Sequence, residues 1–209
     1  MTKRILITAG PTHEPIDAVR FIGNRSSGKL GIALAREAAA RGLEVTLLLG
    51  PVCAEAPAGP SVFRFRTTAD LEELLRAHGP RADVVIMAAA VADYRPKAAQ
   101  IDGKIRRAAA GLTLELEATP DLLAELGAKR HEGQRLIGFA LEPRERLVES
   151  AKSKLERKRV DAIVANELET MDAETIRATV FTKTRSIETP GMMAKSAFAP
   201  WLLEVIAGL

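Results

Sequence analysis

Residues 4–11 read Arg4-Ile5-Leu6-Ile7-Thr8-Ala9-Gly10-Pro11, a short apolar run closed by a glycine–proline break. A run without alternating polar positions describes a strand covered on both faces, as in a parallel sheet. Working outward from it, Leu30, Leu34 and Ala38 recur at four-residue spacing up to Gly42, which predicts a helix ended by a glycine. Glu44-Val45-Thr46-Leu47-Leu48-Leu49 follows as a second buried strand, stopped by Gly50-Pro51. The alternation continues with a strand at 62–66, a helix at 69–78 that turns Leu71, Leu74 and Leu75 inward, and a strand at 83–89. Beyond residue 135 come a strand at 136–141, a basic helix at 144–159 and a strand at 161–165.

Strands alternating with helices in this way imply an α/β fold: a doubly wound, mostly parallel, Rossmann-like sheet with about six parallel strands. Residues 90–117 differ in character. Pro96, Gly103 and Gly111 punctuate Lys104-Ile105-Arg106-Arg107 and the alternating Leu112-Thr113-Leu114-Glu115-Leu116-Glu117, which reads as a β-rich flap or arm inserted into a single domain spanning 1–209. Residues 178–183 and 185–188 form an expected antiparallel pair, ahead of a last helix at 193–206. With 47% hydrophobic and 27% charged residues among 209, the composition is that of a one-domain globular chain. The longest charge-free run, 45–54, has ten residues, about half of a membrane span, and Lys3-Arg4 precedes no signal-peptide core, so no membrane association and a cytoplasmic location are expected. The single Cys53 and the scattered His13, His78 and His131 form no disulfide and no metal site. A net charge of +3 argues against nucleic acid, which makes any anion site a local one.

In open α/β sheets ligands lie beyond the carboxyl ends of the strands, so the long loop 10–28 is the first place to look. It lacks the G-x-G-x-x-G turn of a dinucleotide fold, and Leu49-Gly50-Pro51 stands where a ribose-binding acid would be; an NAD(P) oxidoreductase is disfavoured. A phosphate-loop reading ending in Gly28-Lys29 fails at Leu30, which lacks a metal-binding hydroxyl. What the loop offers is Asn24-Arg25-Ser26-Ser27-Gly28-Lys29 at the start of a helix, where free N–H groups and the positive dipole end favour anions. Ser26 or Ser27 as a simple N-cap is the plainer alternative, and it leaves Asn24 and Arg25 unexplained.

Several long motifs, in order, resemble one family. The run Ile7-Thr8-Ala9-Gly10-Pro11-Thr12-His13-Glu14-Pro15-Ile16-Asp17, with Arg20-Phe21-Ile22-Gly23-Asn24-Arg25-Ser26-Ser27-Gly28-Lys29-Leu30-Gly31, is similar to the N-terminal signature of phosphopantothenate–cysteine ligases. Met87-Ala88-Ala89-Ala90-Val91-Ala92-Asp93-Tyr94-Arg95-Pro96 resembles their central nucleotide motif and Lys104-Ile105-Arg106-Arg107 their flap motif. Thr119-Pro120-Asp121, Gly138-Phe139-Ala140-Leu141-Glu142, and Lys154 with Lys158, Asp161 and Asn166 complete the series. Three positions depart from the pattern: Lys-Ile-Arg-Arg replaces the more frequent K-x-K-K, Gly10-Pro11-Thr12 replaces Gly-Gly-Thr, and Thr119 stands where Asn is usual. The decarboxylase domain often fused ahead of this module is not in the chain, which reads as the stand-alone form, with a separate decarboxylase as a candidate partner.

The resemblance implies a two-step amide synthesis. The carboxylate of 4′-phosphopantothenate attacks the α-phosphate of CTP (ATP in some relatives), with Mg²⁺ on the phosphates, and the amine of cysteine then displaces CMP from the acyl-cytidylate. It further implies catalytic roles for Asn24 and Lys104, acceptor-substrate contacts at Asn24, Arg25, Ser26 and Ala90, and nucleotide contacts at Gly10, Thr12, Ser26, Ser27, Met87, Ala88, Ala89, Asp93, Lys104, Pro120, Asp121, Phe139, Lys154 and Lys158. No residue is assigned to the metal. Each has a plainer reading: Asp93 as a turn cap, Phe139 as a core aromatic, Lys104 as an exposed flap lysine, and Lys154 and Lys158, four apart on one helix face, as snorkelling side chains. A non-catalytic nucleotide-binding module is the alternative function; it would need the nucleotide contacts but not those at Asn24 to Ser27. A homodimer is expected from the resemblance and from strand edges at 90–117 and 178–188 that lack cover within one sheet.

Overall fold

The structure, a computed structural model, describes residues 3–98, 103–107, 111–168 and 173–209. β1 (Arg4–Ala9) leads into a hairpin of β2 (His13–Pro15) and β3 (Phe21–Gly23), which precedes α1 (Lys29–Ala40). Then come β4 (Glu44–Leu49), β5 (Ser61–Arg64), α2 (Thr68–His78) and β6 (Val84–Met87), followed by a ribbon of β7 (Tyr94–Pro96) and β8 (Leu116–Ala118). α3 (Leu122–Lys129), β9 (Arg135–Glu142), α4 (Leu147–Arg157) and β10 (Ala162–Glu167) continue the layers. β11 (Thr175–Ile176), β12 (Ala178–Thr182), β13 (Ser186–Glu188), β14 (Met193–Ala194) and α5 (Lys195–Ala207) close the chain.

The central sheet has the order β13-β12-β10-β9-β6-β1-β4-β5. The six strands from β10 to β5 are parallel, and β12 and β13 extend the sheet antiparallel. The apolar runs are continuous because both faces are covered. Ile5, Ile7 and Ala9 of β1 pack with Leu34 and Ala38 of α1 and Phe198 and Leu202 of α5 on one side. Leu6 packs on the other side with Leu71 of α2, Leu122 of α3 and Ala151 and Leu155 of α4. The doubly wound α/β expectation and its six parallel strands are thus observed.

Four local features differ from the sequence reading. The strand pair near residue 180 does have cover, since β12 pairs with β10 and leaves only β13 at the edge. The loop 10–28 carries the β2–β3 hairpin, in register His13 with Gly23. A short helix, α3, starts at the N-cap Asp121, whose carboxylate accepts the Ala124 N–H at 3.1 Å. In the arm, the alternating stretch is strand only at β8, paired with β7; residues 99–102 and 108–110 of that arm lie outside the described residues. No helix among the described residues is long and apolar enough to cross a membrane.

Candidate functional site

After β1 the chain crosses to β4 on one side, whereas β6 lies on the other side of β1. The connections leaving β1 and β6 therefore diverge, and at such a switch point a crevice opens beyond the carboxyl ends of the strands. Here it is a cleft of about 740 Å³. Residues 24–31 at the start of α1 form one wall and residues 87–93 after β6 form the floor. Residues 119–123 at the start of α3, Phe139 of β9, and Lys154, Arg157 and Lys158 at the end of α4 line the far side.

The α1 wall is the start of a helix that no side chain caps. Gly28 takes the N-cap position in the left-handed region, φ 70°. Ser26 and Ser27 thus do not fill the capping role; they line the cleft with Lys29, Leu30 and Gly31 of the first turn. The first turn contains no acidic residue of its own, and its Lys29 ammonium pairs with the Glu174 carboxylate from the segment before β11.

The floor is fixed from below by hydroxyl groups. The Thr8 Oγ1 accepts the Ala89 N–H at 3.0 Å and the Thr12 Oγ1 accepts the Ala92 N–H at 2.9 Å. Both threonines are fully buried. Gly10 and Thr12 extend the same tie through the backbone: the Ala90 N–H donates to the Gly10 carbonyl at 2.9 Å, and the Thr12 N–H to the Ala90 carbonyl at 3.1 Å. Glu14, also buried, accepts from the Thr68 N–H and Oγ1 at 2.8 and 2.7 Å and fastens the start of α2 to this layer. Thr119, in the position where Asn is usual, donates its hydroxyl to the Ala92 carbonyl and its N–H to the Asp93 carbonyl.

From above, Asn24 closes the cage: its Nδ2 donates to the carbonyls of Ala90 and Val91 at 3.2 and 3.1 Å. The amide thus links the wall at residues 24–31 to the floor. On the far side, the Lys154 Nζ donates to the Glu142 carboxylate at 2.8 Å and the Lys158 Nζ to the Asp121 carboxylate at 3.0 Å. The Lys154 hydrogen bond holds Glu142 below the usual carboxylate range, with Ser150 helping. For Asp121, burial pushes upward, but the Lys158 hydrogen bond, the Ala124 N–H and nearby positive charge outweigh it and the result is again a lowered pKa.

The cleft thus brings together Asn24, Arg25, Ser26, Ser27, Met87, Ala88, Ala89, Ala90, Asp93, Pro120, Asp121, Phe139, Lys154 and Lys158. Gly10 and Thr12 do not line it; they lie beneath the floor and support it, because a buried hydroxyl next to a buried N–H forms the bond the backbone would otherwise lack. Lys104 does not line it either. Its segment is pinned to the loop before β3, where buried Asp17 accepts the Ile105 N–H at 3.0 Å, Arg20 donates to the Ile105 carbonyl at 2.8 Å, and the Ala18 N–H donates to the Gly103 carbonyl at 3.0 Å. Sequence reasoning did not single out Thr8, Glu14 or Thr68 as supports, nor Lys29 and Lys195 as lining residues. The Gly28-Lys29 pair was a signal for Lys29; for the buried polar groups nothing local in the sequence marks the partner.

An open α/β sheet with an uncapped helix start and a lysine-lined far wall at its switch point defines an α/β protein with a ligand cleft at its strand ends. Across residues 1–209 the chain matches the family model described as DNA/pantothenate metabolism flavoprotein C-terminal domain, and it belongs to that family. It is 42% identical, over 99% of its own length and 58% of the relative's, to a cysteine/cysteine sulfinic acid decarboxylase from an unknown prokaryotic organism. It is 40% identical, over 99% of its length and 52% of the relative's, to the coenzyme A biosynthesis bifunctional protein CoaBC of Bacillus subtilis strain 168. The crystal structure of the C-terminal domain of a coenzyme A biosynthesis bifunctional protein CoaBC superimposes with a TM-score of 0.83 at 40% identity, covering 98% of this chain and 93% of that one. The chain spans about half the length of the curated relatives it matches. The phosphopantothenate–cysteine ligase family indicated by the motifs is therefore the one the comparisons support.

Proposed function

We propose that the protein joins 4′-phosphopantothenate to cysteine in coenzyme A biosynthesis, with CTP activating the carboxylate as an acyl-cytidylate. The observation that carries this reading is the meeting, in one cleft, of the uncapped start of α1 and the lysine pair at the end of α4, two features of different make that each suit an anion. A nucleotide sensor needs only one. Two sites facing each other across the floor 87–93 hold an anionic acceptor against a nucleotide, which converts a bimolecular attack into a positioned one.

In this reading the acceptor's phosphate or carboxylate rests on the N–H groups and hydroxyls of residues 25–28. The triphosphate lies toward Lys154 and Lys158, the base against Phe139, and Asp93 reaches the ribose from the floor. Asn24 presents its Oδ1 between the sites while its Nδ2 keeps the backbone of Ala90 and Val91 in place. Lys104 is read as reaching in from the pinned arm by its long side chain, a point charge suited to charge that develops on the α-phosphate. Magnesium travels with the triphosphate: Mg²⁺ usually keeps several waters and takes phosphate oxygens. When bound, it neutralises phosphate charge.

We place the enzyme in the cytoplasm as a homodimer formed through the hairpin and the ribbon. Val19, Phe21, Tyr94, Leu112 and Leu116 are large apolar side chains exposed in those two neighbouring segments, a patch of the kind that marks protein contacts. A separate decarboxylase is the expected next partner. Purified protein supplied with phosphopantothenate, cysteine and Mg²⁺ plus each nucleoside triphosphate in turn tests the reading: product should form with CTP best. Turnover with ATP equal to or better than CTP would overturn the nucleotide choice, and cysteine decarboxylation without amide formation would favour the activity named for the 42%-identical relative.

A further inference from the structure

We propose that Glu142 and Asp121 are competing counter-ions of the cleft lysines, which stay beside the lysines, repel phosphate groups as these bind and so favour the release of pyrophosphate. The inference rests on the reading of the cleft as a nucleotide site. Both lysines carry the same kind of partner, although the pairs are built from different elements. Glu142 ends β9 and meets Ser150 and Lys154 of α4; its Oε1 accepts from Ser150 Oγ at 2.7 Å and from Lys154 Nζ at 2.8 Å. Asp121 is the N-cap of α3 and meets Lys158, the C-cap of α4, at 3.0 Å through the oxygen that also accepts the Ala124 N–H.

The lysine side chains are only 25% and 17% exposed. Their stems are packed, so each ammonium has little room to swing away from its carboxylate toward a ligand. A phosphate must therefore approach a lysine that already has a carboxylate within hydrogen-bond distance. Three N–H donors allow the ammonium to serve both, but the carboxylate then faces phosphate oxygen across a few ångströms in a partly desolvated site, where like charges repel more strongly than in water. Such a carboxylate lowers the grip on every phosphate species. That is useful in a reaction that must release pyrophosphate before cysteine attacks, because a tightly held product delays turnover.

The test is calorimetric binding of inorganic pyrophosphate and of CTP, in EDTA so that metal binding does not enter, to the wild type and to Glu142→Gln and Asp121→Asn. Gln retains an oxygen for Lys154 and Ser150, and Asn caps a helix as well as Asp, so the geometry is kept while the charge is removed. Each variant should bind pyrophosphate about tenfold more tightly, the effect of one nearby like charge at a partly exposed site. The two substitutions lie on different elements, so a folding defect in one leaves the other as the test. Unchanged or weaker binding in a folded variant would overturn the inference and show that the carboxylates hold the lysines in place for the ligand. A wild-type protein that binds neither ligand in EDTA would overturn this inference, and one that also fails to bind CTP with Mg²⁺ would overturn the nucleotide reading itself.

Discussion

Asn24 is the residue whose sequence-level role changes most when its partners are seen. The resemblance implies a catalytic role and an acceptor-substrate contact for it, and the structure shows both of its amide hydrogens committed to Ala90 and Val91 carbonyls. Asn24→Ala should therefore loosen the floor under both ligands and cost about 1–3 kcal/mol of transition-state stabilisation. Pyrophosphate release should slow while the melting temperature changes little, since the residue is exposed; a loss of activity that merely tracks a lower melting temperature would contradict this. Asp17 gives a pH prediction. Buried and hydrogen-bonded, it accepts from Arg20 Nε at 2.9 Å and from three backbone N–H groups, and Arg20 above all holds its pKa well below the ordinary range. A carboxyl with a depressed folded-state pKa stabilises fully above its unfolded value, about 3.9, and loses that contribution as pH falls toward the folded value. The melting-temperature gap between wild type and Asp17→Asn should be constant from pH 7 to about 5 and shrink below about 4; a gap that persists unchanged into strong acid would refute it. The cleft-lining residues were legible because they sit in long motifs. Thr8, Glu14 and Thr68 were not, because each bonds to a partner more than fifty residues away and nothing local records that pairing.

At the scale of elements, the sheet could be read because burial on both faces removes polar alternation, so β1, β4 and β6 stand out as unbroken apolar runs. The β2–β3 hairpin could not, with three-residue strands and a proline in one of them. α3 was hidden for a different reason: eight residues after Pro120 give barely two turns of periodicity, and its Asp121 start resembles a ligand motif as much as a cap. That helix matters for the site, because its approach to α4 brings Asp121 to Lys158. The approach depends on Gly127, where an added Cβ would stand 1.9 Å from the Lys158 carbonyl oxygen. Backbone cannot yield as a flexible side chain would, so Gly127→Ala should destabilise the fold by about 1–3 kcal/mol, read from the denaturant midpoint, and should weaken CTP binding by displacing Lys158. Wild-type stability and affinity together would contradict this account of the α3–α4 contact.

For the molecule as a whole, the hairpin and ribbon form one projecting surface on which Val19 is 60% and Tyr94 57% exposed. Light scattering at micromolar concentration should return about twice the chain mass of 22.5 kDa, and a value near 22.5 kDa would sink the homodimer. The expected edge at residues 178–188 does not contribute in the way the sequence implied, because pairing of β12 with β10 is a contact between distant segments that strand periodicity alone does not specify. The central claim is that one cleft holds an acceptor and a nucleotide together, and it is tested most directly by pyrophosphate release measured without cysteine. With CTP, Mg²⁺ and 4′-phosphopantothenate, the protein should release pyrophosphate in a burst of about one equivalent per active site, with none when phosphopantothenate is omitted, as expected of a held covalent intermediate. Pyrophosphate release that is independent of phosphopantothenate, or CTP binding with no release under any combination, would contradict the account and leave the cleft as a nucleotide-binding site without ligase chemistry.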